Sequence, residues 1–200
     1  MLTDGEGQGS HSSGAGGGRG RPDPRDVLSF WFAPGNEARW FKADPAFDRA
    51  IADRFTALVG LARDGALADW AATPDGALAL CLLLDQFPRN IWRGTPAAFS
   101  CDERARDVAA TAIEAGHDRA APASGRQFFY LPFEHSEQLA HQVHCLELMR
   151  GLDDPDLLHW AQRHHEVIAR FGRFPHRNAI LGRECTEAEL EFLQQPGSSF

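Results

Sequence analysis

The chain has a single lysine, Lys42, no C-x-x-C pair, no long apolar run and no stretch of strict two-residue alternation. With 20 basic residues, nearly all arginine, against 28 acidic ones, the net charge is −8. That balance argues against a general nucleic-acid or anionic-membrane binder, which needs a basic face. Arginine's planar fork instead suits fixed contacts to one carboxylate or phosphate. Cys81, Cys101, Cys145 and Cys185 are too scattered for a zinc ribbon or redox motif, so they are expected to be reduced structural thiols of a cytoplasmic protein. The longest apolar run, residues 77–84, falls far short of the roughly 18 residues a membrane span needs. The N-terminus also lacks the apolar stretch of a signal peptide. Absence of alternation removes the strand pattern and leaves an all-α expectation.

What is present is punctuated by helix signals. Glycine and serine crowd the first 20 residues, so residues 1–22 read as a disordered Gly/Ser-rich tail and 23–200 as a single all-helical domain. The tail's Asp4, Glu6, Arg19 and Arg21 cancel, which assigns the whole −8 to the domain. Asp23-Pro24, Asp44-Pro45, Thr73-Pro74 and Asp154-Pro155 each pair a capping oxygen with a proline that loses no hydrogen bond at the first helical position. Ser100 with Glu103, and Thr186 with Glu189, have capping-box spacing. Phe47, Ile51, Phe55, Leu58 and Ala62 form one helical stripe that Gly65 would stop. The segment after Thr73 is apolar nearly all round and predicts a central buried helix ended by Pro88. Further helices are expected near 101–115, 134–150, 156–170 and 187–194, for seven to nine packed helices in all.

Three phrases carry the polar chemistry. They are Leu84-Asp85-Gln86-Phe87-Pro88-Arg89-Asn90, then Tyr130-Leu131-Pro132-Phe133-Glu134-His135-Ser136-Glu137, then Phe171-Gly172-Arg173-Phe174-Pro175-His176-Arg177-Asn178. Together with Trp40-Phe41 and Leu181-Gly182-Arg183-Glu184, they resemble the bacterial domain-of-unknown-function family 924 over about residues 25–193. The resemblance implies a tetratricopeptide-like fold, an irregular array of helix pairs, and no particular activity. Family-typical residues that carry over are Asp85, Gln86, Arg89, Asn90, His135, Ser136, Glu137, His164, Arg173, His176, Arg177, Asn178 and Arg183. Cys185 stands where the family would have serine.

Each candidate has two readings. Arg89 and Arg177, in the helix exits at Pro88 and Pro175, could bond the last helical carbonyls while Asn90 and Asn178 shape the turns. Alternatively, Arg89, Arg173, Arg177 and Arg183 could converge on a carboxylate or phosphate. On a helix from about 134, His135 would point inward with Leu139, Val143, Leu146 and Met149. His164 lies in the stripe of Leu157, Trp160, Ala161, Ile168 and Phe171. Both histidines suit a hydrogen-bonded core, yet facing each other near Glu137, Asp85 or Arg177 one could serve as a general base. His176 is a third acid/base candidate. Glu137, His141 and His144 share a stripe that could ligate zinc, but no H-E-x-x-H pattern supports a metal site. Phe30, Trp31, Phe32, Trp40 and Phe41 suit a core or the floor of a ligand groove. The glycine-rich N-terminus has no Walker pattern, and no cofactor is expected.

Three functions therefore compete. The favoured one is a binding module for a small anionic ligand or peptide, using Asp85, Gln86, Arg89, Asn90, Arg173, Arg177, Asn178 and Arg183. The alternatives are a hydrolase or transferase using His135, His164, His176 or Glu137 with arginine clamps, and a structural protein whose polar phrases only fix helix packing.

Overall fold

In the computed structural model, which describes residues 21–198, the regular structure is helical throughout. Among the described residues there are nine helices: α1 (Pro24–Trp31), α2 (Pro45–Arg63), α3 (residues 74–91), α4 (Asp102–Glu114), α5 (His117–Ala120), α6 (Ala123–Glu134), α7 (Leu139–Arg150), α8 (Pro155–Phe171) and α9 (Glu187–Leu193). Short 3-10 turns join several of them. Nearly all of the expected tail, residues 1–20, lies outside the described residues.

The helix starts follow the capping chemistry. Asp23, Asp44, Thr73 and Asp154 each accept a first-turn backbone N–H, with proline next in the chain. Thr186 and Glu189 form a reciprocal capping box. Ser100 does not open α4, because its hydroxyl turns back to the Ala97 carbonyl and the N-cap shifts to Cys101. After α2, Gly65 takes the left-handed φ of +81° that ends the helix.

Two expected boundaries are corrected. Pro88 does not stop α3. The helix passes from Pro74–Cys81 through a π segment, Leu82–Gln86, into Phe87–Ile91, where Pro88 sits in a fresh first turn that needs no N–H from it. The expected helix at 134–150 divides in two. Pro132 lies inside α6 rather than ahead of a helix, and residues 135–138 form the turn into α7. His135 is therefore the C-cap of α6 and does not share a stripe with Leu139 and Val143, which are both exposed.

The central element is α3, packed against α1, α2, α4 and α6. Residues 76–87 of it are buried on every side. Gly76 is required by a close approach: a Cβ there would lie 2.1 Å from the Trp70 carbonyl oxygen. Beside α3, Trp31 stacks on Trp40 with centroids 5.7 Å apart, and the Trp40 indole N–H donates to the Trp31 carbonyl. A separate small apolar cluster, Val167, Ile168, Phe174 and Phe192, ties α8 to α9. No helix among the described residues is long and apolar enough to cross a membrane.

Candidate functional site

A cleft of about 240 Å³ opens where the C-terminal end of α3 meets the 96–99 turn, the His135 turn, α8 and the 175–180 segment. Arg89, His135, His164, His176 and Arg177 all line it, with Gln86 and Asn90 at its α3 wall. The π segment is what brings Asp85 and Gln86 to this wall: it adds a residue to the turn just ahead of the Arg89-Asn90 exit.

Asp85 is the buried hub. Its Oδ1 lies 2.8 Å from His135 Nδ1 and 3.2 Å from Arg89, and its Oδ2 accepts from the Gln86 amide at 2.7 Å. Burial would raise its pKa, but the Arg89 charge and then His135 outweigh burial and hold the carboxyl well below its ordinary range. Because Asp85 stays ionised, it fixes His135 in the tautomer with hydrogen on Nδ1 and the lone pair on Nε2. Burial, followed by the Arg89 charge, keeps His135 below its ordinary pKa and therefore neutral.

Arg89 also donates to both oxygens of Asp102, at 2.9 and 3.0 Å, and to the Asp85 carbonyl at 2.8 Å. Both of its terminal nitrogens are thus engaged. Arg177 differs. Its guanidinium carbon lies 4.5 Å from the ring centroids of both Phe99 and Phe174, within cation–π distance of each. Its nearest carboxylate oxygen, on Asp102, is 3.6 Å away, and its Nε has no hydrogen-bond acceptor among the described residues. Burial, then repulsion from Arg89, lowers its pKa to about 10. Arg177 therefore stays a cation with incomplete compensation. Burial also lowers His164 to about 3 and His176 to about 4, with the His135 and Arg177 charges next in effect, so both rings are neutral at pH 7.

A second lobe of about 270 Å³ adjoins the first, sharing Phe41, His135 and His164 with it. Its other walls are Gln127, Leu131, Glu134, Leu157 and Trp160. Phe41 and Trp160 are 62% and 49% exposed, so two large apolar side chains stand open to solvent at this lobe. Trp160 was expected within the buried stripe of α8, but the lobe leaves it without a packing partner on one side. Glu134 is buried, and burial followed by the Asp85 charge raises its pKa to about 8. Its 3.3 Å contact with His164 Nδ1 consequently joins two neutral groups at pH 7, while the same Nδ1 donates to the Trp160 carbonyl at 2.9 Å.

Other candidates stand behind the cleft wall. Glu137 accepts both NH groups of Arg183, at 2.7 and 2.9 Å, and the Phe174 N–H, pinning the 174–183 segment to the His135 turn. Arg173 forks onto Glu189 at 2.6 and 2.8 Å, and Asn178 donates to Cys185 at 3.3 Å. The four arginines do not converge: Arg89 and Arg177 reach the cleft, Arg173 and Arg183 do not. Asn90 is no turn residue, since its amide donates to Asp48 at 2.8 Å. Nor do Glu137, His141 and His144 form a ligand stripe. Glu137 precedes α7 and is held by Arg183, whereas His141 Nδ1 pairs with the Ser136 hydroxyl at 2.8 Å. Among the described residues no group of three or more His, Cys, Asp or Glu is placed to hold a metal ion.

Sequence reasoning missed Asp102, Phe99 and Glu134. Asp102 resembled an ordinary first-turn acid, and only the fold shows that α4 aims it at Arg89 and Arg177. Glu134 offered one signal, its position beside His135 in a dense polar phrase.

The family described as "Bacterial protein of unknown function (DUF924)" matches residues 27–197, and the chain belongs to it. The solved structure of a protein of unknown function from Agrobacterium tumefaciens is similar, with 43% identity and a TM-score of 0.82, covering 86% of this chain and 96% of that one. No curated protein matches.

Proposed function

Within this family of unknown function, we propose that the chain binds a small oxyanion, a carboxylate or phosphate, in the cleft at Arg177. The observation that carries this reading is the state of Arg177: a buried cation in contact with two aromatic rings, whose nearest carboxylate oxygen among the described residues is 3.6 Å away. A buried charge is stabilised by a close counter-charge, and a planar fork recognises an oxyanion by two parallel hydrogen bonds. Neutral His135, His164 and His176 line the same cleft, so none of them adds a positive charge that would compete with Arg177 for the anion. The cleft's small volume favours a compact ligand over an extended peptide.

Calorimetric titration with butyrate and inorganic phosphate tests the proposal. Arg177→Gln should weaken binding by about tenfold or more, while Arg173→Gln, outside the cleft, should leave it unchanged. No binding of either anion by the wild type, or loss in Arg173→Gln but not in Arg177→Gln, would overturn it.

The Asp85–His135 pair favours a second reading, acid/base hydrolysis by water of an ester whose acid part is released as the bound oxyanion. A carboxylate on Nδ1 orients the ring and leaves Nε2 to take a proton. Turnover of 4-nitrophenyl butyrate or 4-nitrophenyl phosphate that disappears in folded His135→Gln supports that role. Binding without turnover leaves a receptor.

A further inference from the structure

Resting on the oxyanion reading, we infer that the ligand is amphiphilic: a monocarboxylate whose head meets Arg177 and whose apolar, ring-sized body fills the adjoining lobe between Phe41 and Trp160. Two observations carry this beyond anion binding. First, the two lobes are neighbours, with Phe41, His135 and His164 lining both, so a head in one and a body in the other would meet at these side chains. Each lobe alone is below the roughly 300 Å³ at which small-molecule sites begin, whereas a ligand spanning both has a site of ordinary size. Second, the chain leaves Phe41 and Trp160 open at this lobe, with Leu131 and Leu157 beneath, although most of its other aromatic rings are packed away. Exposed aromatic side chains lining a concavity have apolar surface still to bury, and a ring stacks on them favourably.

Charge selects the head group. Arg89 is closely paired with Asp85 and Asp102, whereas Arg177 lies 3.6 Å from Asp102 and feels Glu137 and Asp85 from farther off, so the looser pairing of Arg177 leaves a local deficit for an anion. A single negative charge can draw on that deficit, whereas a phosphate dianion would set a second negative charge against Asp85 and Asp102. Glu134 supplies a further contact. As a protonated carboxyl in the second lobe it can donate a hydrogen bond to a carbonyl or ether oxygen in the ligand body.

The test compares 4-phenylbutyrate, butyrate, 4-phenylbutanol and 4-phenylbutyl phosphate by calorimetry on the full chain. Wild type should bind 4-phenylbutyrate about tenfold or more tightly than butyrate, 4-phenylbutanol or the phosphate. Trp160→Ala, at an exposed position that lines the second lobe and not the Arg177 cleft, should remove that advantage and leave butyrate affinity unchanged. Equal affinity for butyrate and 4-phenylbutyrate overturns the amphiphilic ligand while the oxyanion reading stands. Tighter binding of the phosphate overturns the monocarboxylate head alone. Equal binding of 4-phenylbutanol, or no binding of any anion, overturns both the inference and the oxyanion reading beneath it.

Discussion

Raising the pH from 6.5 to 8 should weaken the fold through one side chain, Glu134. Its carboxyl is buried beneath the second lobe, and its pKa is raised to about 8 by burial and then by Asp85. An unfolded glutamate titrates near its ordinary pKa of about 4.3. Between those values the folded chain holds a proton that the unfolded chain has lost. The contribution to stability is complete below the unfolded pKa and falls as pH rises through the folded one. Each pH unit in the steep part is worth up to about 1.4 kcal/mol, and flattening near the folded pKa reduces the total from pH 6.5 to 8 to about 1.5 kcal/mol. His164 and His176 act with the opposite sign. Their folded pKa values fall to about 3 and about 4, so stability rises with pH through the unfolded histidine pKa of about 6.5, and each still gains about 0.4 kcal/mol between pH 6.5 and 8. Those gains offset part of the Glu134 loss, so Glu134 is isolated by the difference between wild type and Glu134→Gln, which share them. Urea unfolding at the two pH values should show wild type losing about 1.5 kcal/mol relative to Glu134→Gln, with unchanged m-values. The same pH dependence in wild type and Glu134→Gln would refute the assignment of a protonated carboxyl.

Three other substitutions probe the site's scaffold. Gln142 is buried, and its amide reaches the carbonyls of Phe133, Glu134 and Ser136, holding the turn that carries His135. Gln142→Leu should cost about 2–3 kcal/mol in chemical denaturation, because those acceptors lose their donor; a cost below about 0.5 kcal/mol would contradict that role. Arg89→Leu leaves Asp85 and Asp102 without their shared cation and should cost about 3–5 kcal/mol, read as a lower urea midpoint, whereas an unchanged midpoint would show that the pairs are dispensable. Gly76→Ala drives a methyl against the Trp70 carbonyl, so it should lower Tm by several degrees despite alanine's better helix propensity; a rise in Tm would refute the close approach.

Much of the fold was legible because its signals are local. Asp44 and Pro45, or Thr186 and Glu189, lie within a few residues of the N–H groups they satisfy, so their sequence spacing already is their geometry. The errors arose where prolines sit inside helical stretches. Pro88 and Pro132 look like breakers, and only the π segment ahead of Pro88 and the packing of α6 against α3, α4 and α7 show how the chain accommodates them. Misplacing α6 put His135 on the wrong helix and concealed its partner. The bond from His135 to Asp85 spans 50 residues, and those from Arg89 and Arg177 to Asp102 join separate helices and turns. Such pairs are set by packing and leave no spacing in the sequence. The four arginines show the same limit: all look alike as text, yet Glu189 and Glu137 engage Arg173 and Arg183 away from the cleft.

The most direct measurement is anomalous diffraction from crystals of the wild-type chain grown with 4-(4-bromophenyl)butyrate. A bromine peak in the lobe between Phe41 and Trp160, with the carboxylate within hydrogen-bond distance of the Arg177 guanidinium, is the predicted result. A carboxylate seated on Arg173 or Arg183, or bromine bound only outside the cleft, would contradict an oxyanion site at Arg177.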